Sequence, residues 1–493
     1  MLVNVASNWA YLLAHIGVSL VLVPFLVGKL GVTAYGVWAT LSGLLVFLTL
    51  LDLGTTSAIN RYVARYGALG EYGRVNASVA SGVLLFAGVA LVLVIVALTL
   101  ARPFIGLFPL IPGELVEDAV LALRLICVGV AFRLMWGPYT GLMGGWHRWD
   151  LANAASVFEL LLRLVLIVVL MIGWRTAIYV PALAFVVSSA SGLLVQMAAG
   201  KWLFRELRWL PTCASRKAFR EILALGSHVL LITLCTTTIY QAGNFILTRL
   251  VGPQSVTPFS IGLLLVVTCT QGVHGVSRVF TPVVSSVDAR RSTAEVARIT
   301  MRAAQLLGVV TAGVGTMLLV VGRPFIDIWM HGRVPSAFDV MAVLTVGHVL
   351  LWPNTVVQSA FSGTSRLGPY ALGWLATTLM FLALAIVLVL KTTLAGVGVA
   401  VAIAVPLALQ QVGIVPQLFR RYFGVGVGSF MLRVHVRPLV VAGVIVGLGF
   451  AVRRVWVPDN WFELVFFGLA VGLVYVGAAW AFGMDGETRA AFI

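Results

Sequence analysis

Residues 82–101 read GVLLFAGVALVLVIVALTLA, twenty positions without a single charge. An α-helix rises about 1.5 Å per residue, so a run of this length crosses roughly 30 Å of hydrocarbon. The run is continuous rather than alternating, which favours a helix over a strand of a membrane barrel. The rest of the chain repeats the pattern. Of its 493 residues, 60% are apolar and only 10% charged, with a mean hydropathy of +1.04. Soluble domains carry roughly 25% charged residues. A chain this apolar hides its surface in lipid, where helices or closed barrels satisfy the backbone.

By the same length criterion fourteen spans are expected, at 5–27, 35–57, 77–101, 118–142, 152–172, 177–199, 223–248, 257–285, 303–322, 340–362, 370–390, 395–417, 438–452 and 462–483. The fold class expected is all-α integral membrane. Between the spans, twenty of the 33 Lys and Arg fall on one side, among them Arg61, Arg148, Lys201, Arg366 and Arg421. Nine fall on the other side, and four, Arg124, Arg133, Arg163 and Arg278, lie inside spans. Since cytoplasmic loops carry the excess, both termini are expected in the cytoplasm. The formal charge of +16 is then topology and contact with anionic lipid, with no nucleic acid as partner.

Other classes are excluded on the same reading. Cys127, Cys213, Cys235 and Cys269 are scattered, without disulfide or zinc spacing. His15, His228, His274 and His348 lie on different spans and form no metal site, and no cofactor is expected. Loops are short and no phosphate-binding Walker sequence occurs, so the chain is not an ATP-driven pump by itself. The first apolar stretch lacks a basic leader and is read as a span, not a signal peptide.

An internal repeat is visible. RPFIGLF from Arg102 returns as RPFIDIW from Arg323, Gly145 and Arg148 return as Gly363 and Arg366, and FLVGKLG from Phe25 returns as FILTRLVG from Phe245. The offsets are 221, 218 and 220. A duplicated unit of six helices has two parallel halves related by a pseudo-two-fold axis along the membrane normal. The divisions expected are residues 1–200 (spans 1 to 6), a basic cytoplasmic linker at 201–222, residues 223–417 (spans 7 to 12), and 418–493 with two appended helices and a tail.

Polar residues inside lipid are costly and mark cavities or helix contacts. Residues three or four apart share a helix face, and four spans carry such stripes: Asn8, Tyr11, His15 and Ser19; Thr49, Asp52, Thr56 and Asn60; Thr233, Thr237, Tyr240 or Gln241, Asn244 and Thr248; and Thr270, His274 and Arg278. These faces are expected to line a pathway; the plainer reading is that Ser, Thr and Asn bond one helix to another. Only Asp52 and Glu159 are acids well inside spans. Glu159 has Arg163 one turn on, an (i, i+4) pair that can neutralise itself as a structural ion pair. Asp52 has no partner at helical spacing and is the better candidate for proton or sodium coupling, or else a plain helix terminus; Glu159 is the second coupling candidate. Four in-span arginines against two acids favour a phosphate-bearing substrate, because the guanidinium is a planar, permanently charged fork of donors. The candidate headgroup residues are Arg278, Arg163 and Arg133, with His274 beside Arg278 and Asn244 on the facing stripe.

The stretches NWAYLLAHIGVSLVLVPFLVGKLGVTAYGVWATL (8–41), LDLGTTSAINRYVARY (51–66), GGWHRWDLAN (144–153) and YQAGNFILTRLVGP (240–253) resemble the polysaccharide transporter or O-antigen flippase family of the multidrug/oligosaccharidyl-lipid/polysaccharide exporter superfamily. The resemblance extends over essentially the whole chain. It implies two six-helix lobes around a cavity that opens alternately to each face, and an undecaprenyl pyrophosphate-linked oligosaccharide as substrate. It also implies roles for Asp52 and Arg61, which match the family's LDLG and following basic position, and for Arg278 in the cavity-facing part of span 8. The adjacent Arg-Asp pair in the first helix of peptidoglycan-precursor flippases is absent here. A cation-coupled drug exporter of the same superfamily is the rival expectation, and a membrane glycan polymerase or ligase a remote one.

Overall fold

The computed structural model describes residues 2–52, 54–208, 214–215, 218–219, 227–277, 280–288, 293–364 and 366–483, and the described residues are helices and their connections. In chain order these are α1 (Leu2–Thr49), α2 (Thr55–Ala68), α3 (Tyr72–Gly106), α4 (Gly113–Leu134), α5 (Gly137–Gly145), α6 (Trp149–Gly173) and α7 (Tyr179–Leu203). Then follow α8 (Ser227–Leu250), α9 (Val256–Ser277), α10 (Phe280–Asp288), α11 (Thr293–Trp329), α12 (Ala337–Gly363) and α13 (Leu367–Lys391). The last three are α14 (Ala395–Phe423), α15 (Val427–Val455) and α16 (Trp461–Gly483).

Among the described residues, twelve segments are long and apolar enough to cross a membrane. The first, Ala6–Ala68, holds two of the expected spans, because α1 breaks at Gly31 (φ 80°, ψ 168°), a conformation that glycine reaches without penalty. Helix α4 stands outside the twelve only through its charges, Glu114, Glu117, Asp118, Arg124 and Arg133. Taking α1 as two and adding α4 gives the fourteen crossings expected. Two spans read as continuous are broken. Span 2 is interrupted by a 3-10 turn at Leu50–Asp52, and span 4 by a turn at Met135 and Trp136 between α4 and α5. Apolarity alone does not show such breaks, since the residues on both sides remain in lipid.

The chain forms two compact units, Met1–Thr237 with Thr248–Val256, and Thr238–Leu247 with Thr257–Ile493. In the first unit α2 lies against α3 and α5 around Ile59, Val63, Val79, Tyr139 and Leu142. Side chains at Gly144 and Gly145 would meet Asn60 Nδ2 at 2.7 Å and Val63 Cγ1 at 2.6 Å, so the packing of α5 on α2 leaves no room for a side chain at either glycine. Phe204 and Leu207 are buried in the same cluster. The start of the expected basic linker is therefore packed, with Asn76 Nδ2 donating to Glu206 O at 3.0 Å and Ser215 N donating to Ser81 Oγ at 3.1 Å.

The second unit is built on α11, α12 and α14, with α15 and α16 laid along α11 through Val320, Ile445, Val471 and Tyr475. Tyr475 donates its hydroxyl to Val309 O at 2.6 Å. The repeat is visible inside each unit as matching backbone bonds: Arg148 N to Met143 O and Arg366 N to Phe361 O, Trp174 N to Leu170 O and Thr392 N to Leu388 O, Phe204 N to Gly200 O and Gly424 N to Arg420 O. Each pair again differs by 218 or 220 positions. Both RPFI segments continue their helices, α3 and α11, past the expected ends at 101 and 322.

A test of this packing follows from two glycines on α15. A Cβ on Gly449 would lie 2.5 Å from Val320 Cγ1, whereas one on Gly447 meets nothing within 4 Å. Gly449→Ala is expected to destabilise by about 1–3 kcal/mol through overpacking, and Gly447→Ala to leave stability unchanged or raise it by roughly 0.5–1 kcal/mol. Thermal unfolding of the purified protein in detergent distinguishes them, and equal melting temperatures would contradict the α11–α15 contact.

Candidate functional site

Two glycines organise the interior of the first unit. A Cβ on Gly129 of α4 would sit 2.4 Å from Phe185 of α7, and a Cβ on Gly192 of α7 would sit 2.1 Å from Trp136 at the α4–α5 turn. Small residues let helices in a membrane approach closely, and here each admits an aromatic ring from its neighbour. The indole N–H of Trp136 donates to Ser189 O at 3.0 Å. Each ring then carries an arginine: the Arg133 guanidinium carbon lies 3.8 Å from the Trp136 ring centre and that of Arg163 lies 5.6 Å from Phe185. A cation over a desolvated ring gains on the order of 2 kcal/mol, which offsets part of the cost of holding it away from water.

Glu159 joins these arginines. It is 5% exposed, accepts from Ser188 Oγ at 3.1 Å, and lies 3.7 Å from Arg163 Nη1. The charges of Glu159 and Arg163 act on Arg133 and on His15 of α1, and Tyr11 is within electrostatic reach of Arg133. Two guanidiniums against one carboxylate leave an excess of positive charge. Arg133 Nη1 and His15 Nδ1 are buried without a hydrogen-bond partner, so the cluster has donor capacity to spare.

Thus Arg133 of α4 and the Glu159–Arg163 pair of α6 come within electrostatic reach of one another. His15, which has no acid near it in the sequence, lies within electrostatic reach of Glu159 across about 140 residues. Trp136, Phe185 and Ser188 escaped the sequence reading; Gly129 and Gly192 facing bulky neighbours were the available signal, legible only once α4 and α7 are known to pair. Asp52 stands apart. Its Oδ1 accepts from Thr56 N at 3.1 Å and Thr56 Oγ1 at 2.8 Å, holding the first turn of α2. Arg61 is exposed on α2. Arg124, half-buried, donates to Leu98 O at 3.3 Å. Arg278 lies outside the described residues.

Several stripe residues bond helix to helix. Asn153 Nδ2 donates to Ser7 Oγ and Asn8 Oδ1 at 2.9 and 2.7 Å, and the hydroxyls of Thr40 and Thr248 meet at 2.6 Å. In the second unit Asn244 is buried and His274 half-buried. Thr270 accepts from Trp352 Nε1 at 2.8 Å. His348, fully buried, holds Leu344 O at 2.7 Å through Nδ1 and Tyr240 OH at 3.1 Å through Nε2. A carbonyl can only accept, so Nδ1 carries the proton and Nε2 accepts from the tyrosine. Asn354 donates to Gln411 Oε1 and Thr377 to Gln410 Oε1, each at 2.9 Å. Both glutamines begin a π-helical turn, Gln410–Ile414. The polar interior of this unit, among these residues, is neutral.

The profile of the family described as polysaccharide biosynthesis protein matches residues 2–288. The chain belongs to that family. No curated protein matches it by sequence. In structure it is similar to a multidrug-resistance MATE-family transporter of the MOP superfamily, seen facing inward, at 17% identity and a TM-score of 0.70 over 84% of this chain and 96% of the other. It is also similar to the lipid II flippase MurJ, at 13% identity and a TM-score of 0.65 over 96% and 99% of the two chains. A MOP-superfamily transporter from Pyrococcus furiosus, described by the reversed polarity of its binding pocket, aligns at 16% identity with a TM-score of 0.59 over 87% and 94%. The fold is therefore that of a multi-span membrane transporter, as the sequence resemblance implied.

The coupling inside the cluster is measurable. Removing one member of a fully buried pair costs about 3–5 kcal/mol. Arg163 keeps 27% of its side chain exposed, so Glu159→Gln and Arg163→Met are each expected to cost only about 1–3 kcal/mol after screening. Their double mutant is expected to lose roughly 0.5–1.5 kcal/mol less than the sum, read from unfolding of the four proteins in detergent. Strict additivity would mean that Glu159 and Arg163 do not act on each other.

Proposed function

We propose that the chain is a flippase that carries an undecaprenyl pyrophosphate-linked oligosaccharide from the cytoplasmic to the outer leaflet of a bacterial plasma membrane, by alternating access, for lipopolysaccharide, capsule or exopolysaccharide synthesis. The observation that carries this reading is the surplus of positive charge around Arg133, Arg163 and Glu159 within the membrane-spanning first unit. A pyrophosphate cannot enter hydrocarbon unaided, while its prenyl tail remains in lipid throughout. Guanidiniums with unpaired donors supply the headgroup with charge-assisted hydrogen bonds, and the family's role in polysaccharide biosynthesis supplies the class of cargo. Arg278, Arg61, His274 and Asn244 are proposed to complete the headgroup path. Residues 1–200 and 223–417 act as the two lobes, joined by 201–222 and followed by 418–493, with both termini in the cytoplasm. A polysaccharide polymerase or export assembly receives the product. The chain acts as a transporter and not as an enzyme.

Proton or sodium entry is proposed to drive the cycle through Asp52 or Glu159, since an inward-moving cation gains about 2.3 kcal/mol per 100 mV. The structural likeness to a multidrug-resistance MATE-family transporter supports a second reading, cation-coupled drug export. A pump for cationic drugs needs a surplus of acid in its interior, which this cluster reverses.

Deletion of the gene in its host is expected to abolish surface glycan and to trap lipid-linked oligosaccharide on the cytoplasmic side. Plasmid-borne Arg133→Ala and Arg163→Ala are expected to restore about a tenth or less of the glycan that wild type restores, at equal protein level, for a loss of roughly 1.4 kcal/mol or more in headgroup binding. Full rescue by both variants would remove the cluster from substrate handling. Loss of cationic-drug resistance with normal glycan would move the assignment to drug export. In proteoliposomes, Asp52→Asn or Glu159→Gln is expected to abolish the ion-gradient dependence of flipping, and gradient dependence retained in both would exclude these acids from coupling.

A further inference from the structure

The duplication places two equivalent turns in the chain, and they differ in one respect that the transport site does not use. Arg148 is the N-cap of α6 and Arg366 the N-cap of α13, with φ of −105° and −108°. In the first unit Arg148 is neutralised on the spot, its Nε 2.9 Å from Asp150 Oδ1 and its Nη2 3.0 Å from Asp150 Oδ2. Its guanidinium carbon lies 5.7 Å from the Trp202 ring centre. The neighbouring cation, Lys201, is satisfied as well, its Nζ donating to the carbonyls of Arg205 at 2.7 Å and Leu207 at 3.0 Å.

At the same offsets, 218 for the turn and 220 for the helix end, Asp150 becomes Gly368, Trp202 becomes Tyr422 and Lys201 becomes Arg421. The aromatic contact is kept: the guanidinium carbons of Arg366 and Arg421 each lie 5.8 Å from the Tyr422 ring centre. The acid is lost. Arg366 Nη1 reaches Tyr422 O at 3.4 Å, and among the described residues no carboxylate lies within 4 Å of either arginine. Two exposed, permanently charged forks therefore flank one ring, with no carboxylate of the described residues between them.

We propose that Arg366, Arg421 and Tyr422 bind the phosphate of an anionic phospholipid headgroup. Position selects a lipid over a soluble anion. Arg366 caps the 25-residue span of α13 and Tyr422 closes the 29-residue span of α14, so both sit where a helix of that length meets the headgroup layer. Tyrosine at such a level lies with its ring toward the acyl chains and its hydroxyl toward water. Arginine supplies the paired donors that a phosphate accepts in parallel. Phe423, buried beside Tyr422, fixes the helix end against the second unit's core. In the first unit Asp150 occupies Arg148 instead, so the site is expected in one copy per chain and does not depend on what the transporter carries.

The test uses the full-length protein, purified and delipidated in detergent, with phosphatidylglycerol, phosphatidylcholine and inorganic phosphate as probes. Bound lipid is counted by native mass spectrometry and the melting temperature is recorded alongside. Wild type is expected to retain phosphatidylglycerol over phosphatidylcholine. Gly368→Asp rebuilds the pairing of the first unit and, as an acid in the first turn of α13, suits the helix dipole. It is expected to lower phosphatidylglycerol affinity about fivefold while leaving the lipid-free melting temperature unchanged. Arg421→Gln, at an exposed position, is expected to act in the same direction and serves should Gly368→Asp misfold. Undiminished phosphatidylglycerol binding in a folded variant of either kind overturns the site. Full displacement of the lipid by millimolar inorganic phosphate overturns its assignment to a lipid.

Discussion

Hydrocarbon offers no partner to a backbone N–H or carbonyl, and the rest of this structure answers to that constraint. Every span must close its own hydrogen bonds as a helix, and every departure from helix must be repaired by the protein. The break after α1 is repaired by Asp52, whose carboxylate accepts the amide and hydroxyl of Thr56. The turn between α4 and α5 is repaired by Met135 N and Trp136 N, which bond back to Ala131 O and Arg133 O. Polar side chains obey the same rule. Thr40 bonds Thr248 and Asn354 bonds Gln411 in the buried interior, and Asn8 bonds Asn153 where α1 meets α6 at an exposed position.

Against that background the cluster around Arg133 is an exception that needs support. Charge in a low-dielectric interior is costly unless paired, and here the support is layered. Gly129 and Gly192 draw α4 and α7 together, the approach seats Phe185 and Trp136, and the two rings face the two arginines. Glu159, anchored by Ser188, compensates one charge and leaves the other. An uncompensated guanidinium is a site that favours an anion, and the lipid pyrophosphate proposed as cargo supplies one.

The two units share an ancestral plan and have diverged in their polar interiors. The first concentrates ionised groups at Arg133, Glu159 and Arg163. The second uses neutral groups in chains: Tyr240 with His348, Trp352 with Thr270, Thr377 with Gln410. Neutral networks rigidify without strong coupling to ions or phosphates. The turn at Arg148 and Arg366 reverses the contrast, with the acid kept in the first unit and lost from the second. The backbone bonds of the two turns match while their charged partners differ, since a surface side chain such as Asp150 can be exchanged without repacking a helix.

The span count, the all-helical class, the duplication and the family were legible in residues as they stand in line, since each rests on local quantities: the apolar run at 82–101, the RPFI segments at a fixed offset, the GGWHRWDLAN turn. The pairing of Glu159 with Arg163 was legible too, because four residues on a helix are neighbours. The breaks at Asp52 and Trp136 were not, since lipid surrounds a turn as it surrounds a helix and hydropathy does not change. Nor was the placing of His15 and Arg133 within electrostatic reach of Glu159, which the packing of α1, α4, α6 and α7 brings about. Sequence determined which residues had to be buried and in what periodic order; only the tertiary structure decided which of them face each other, because helix pairing depends on the shapes of two distant surfaces at once.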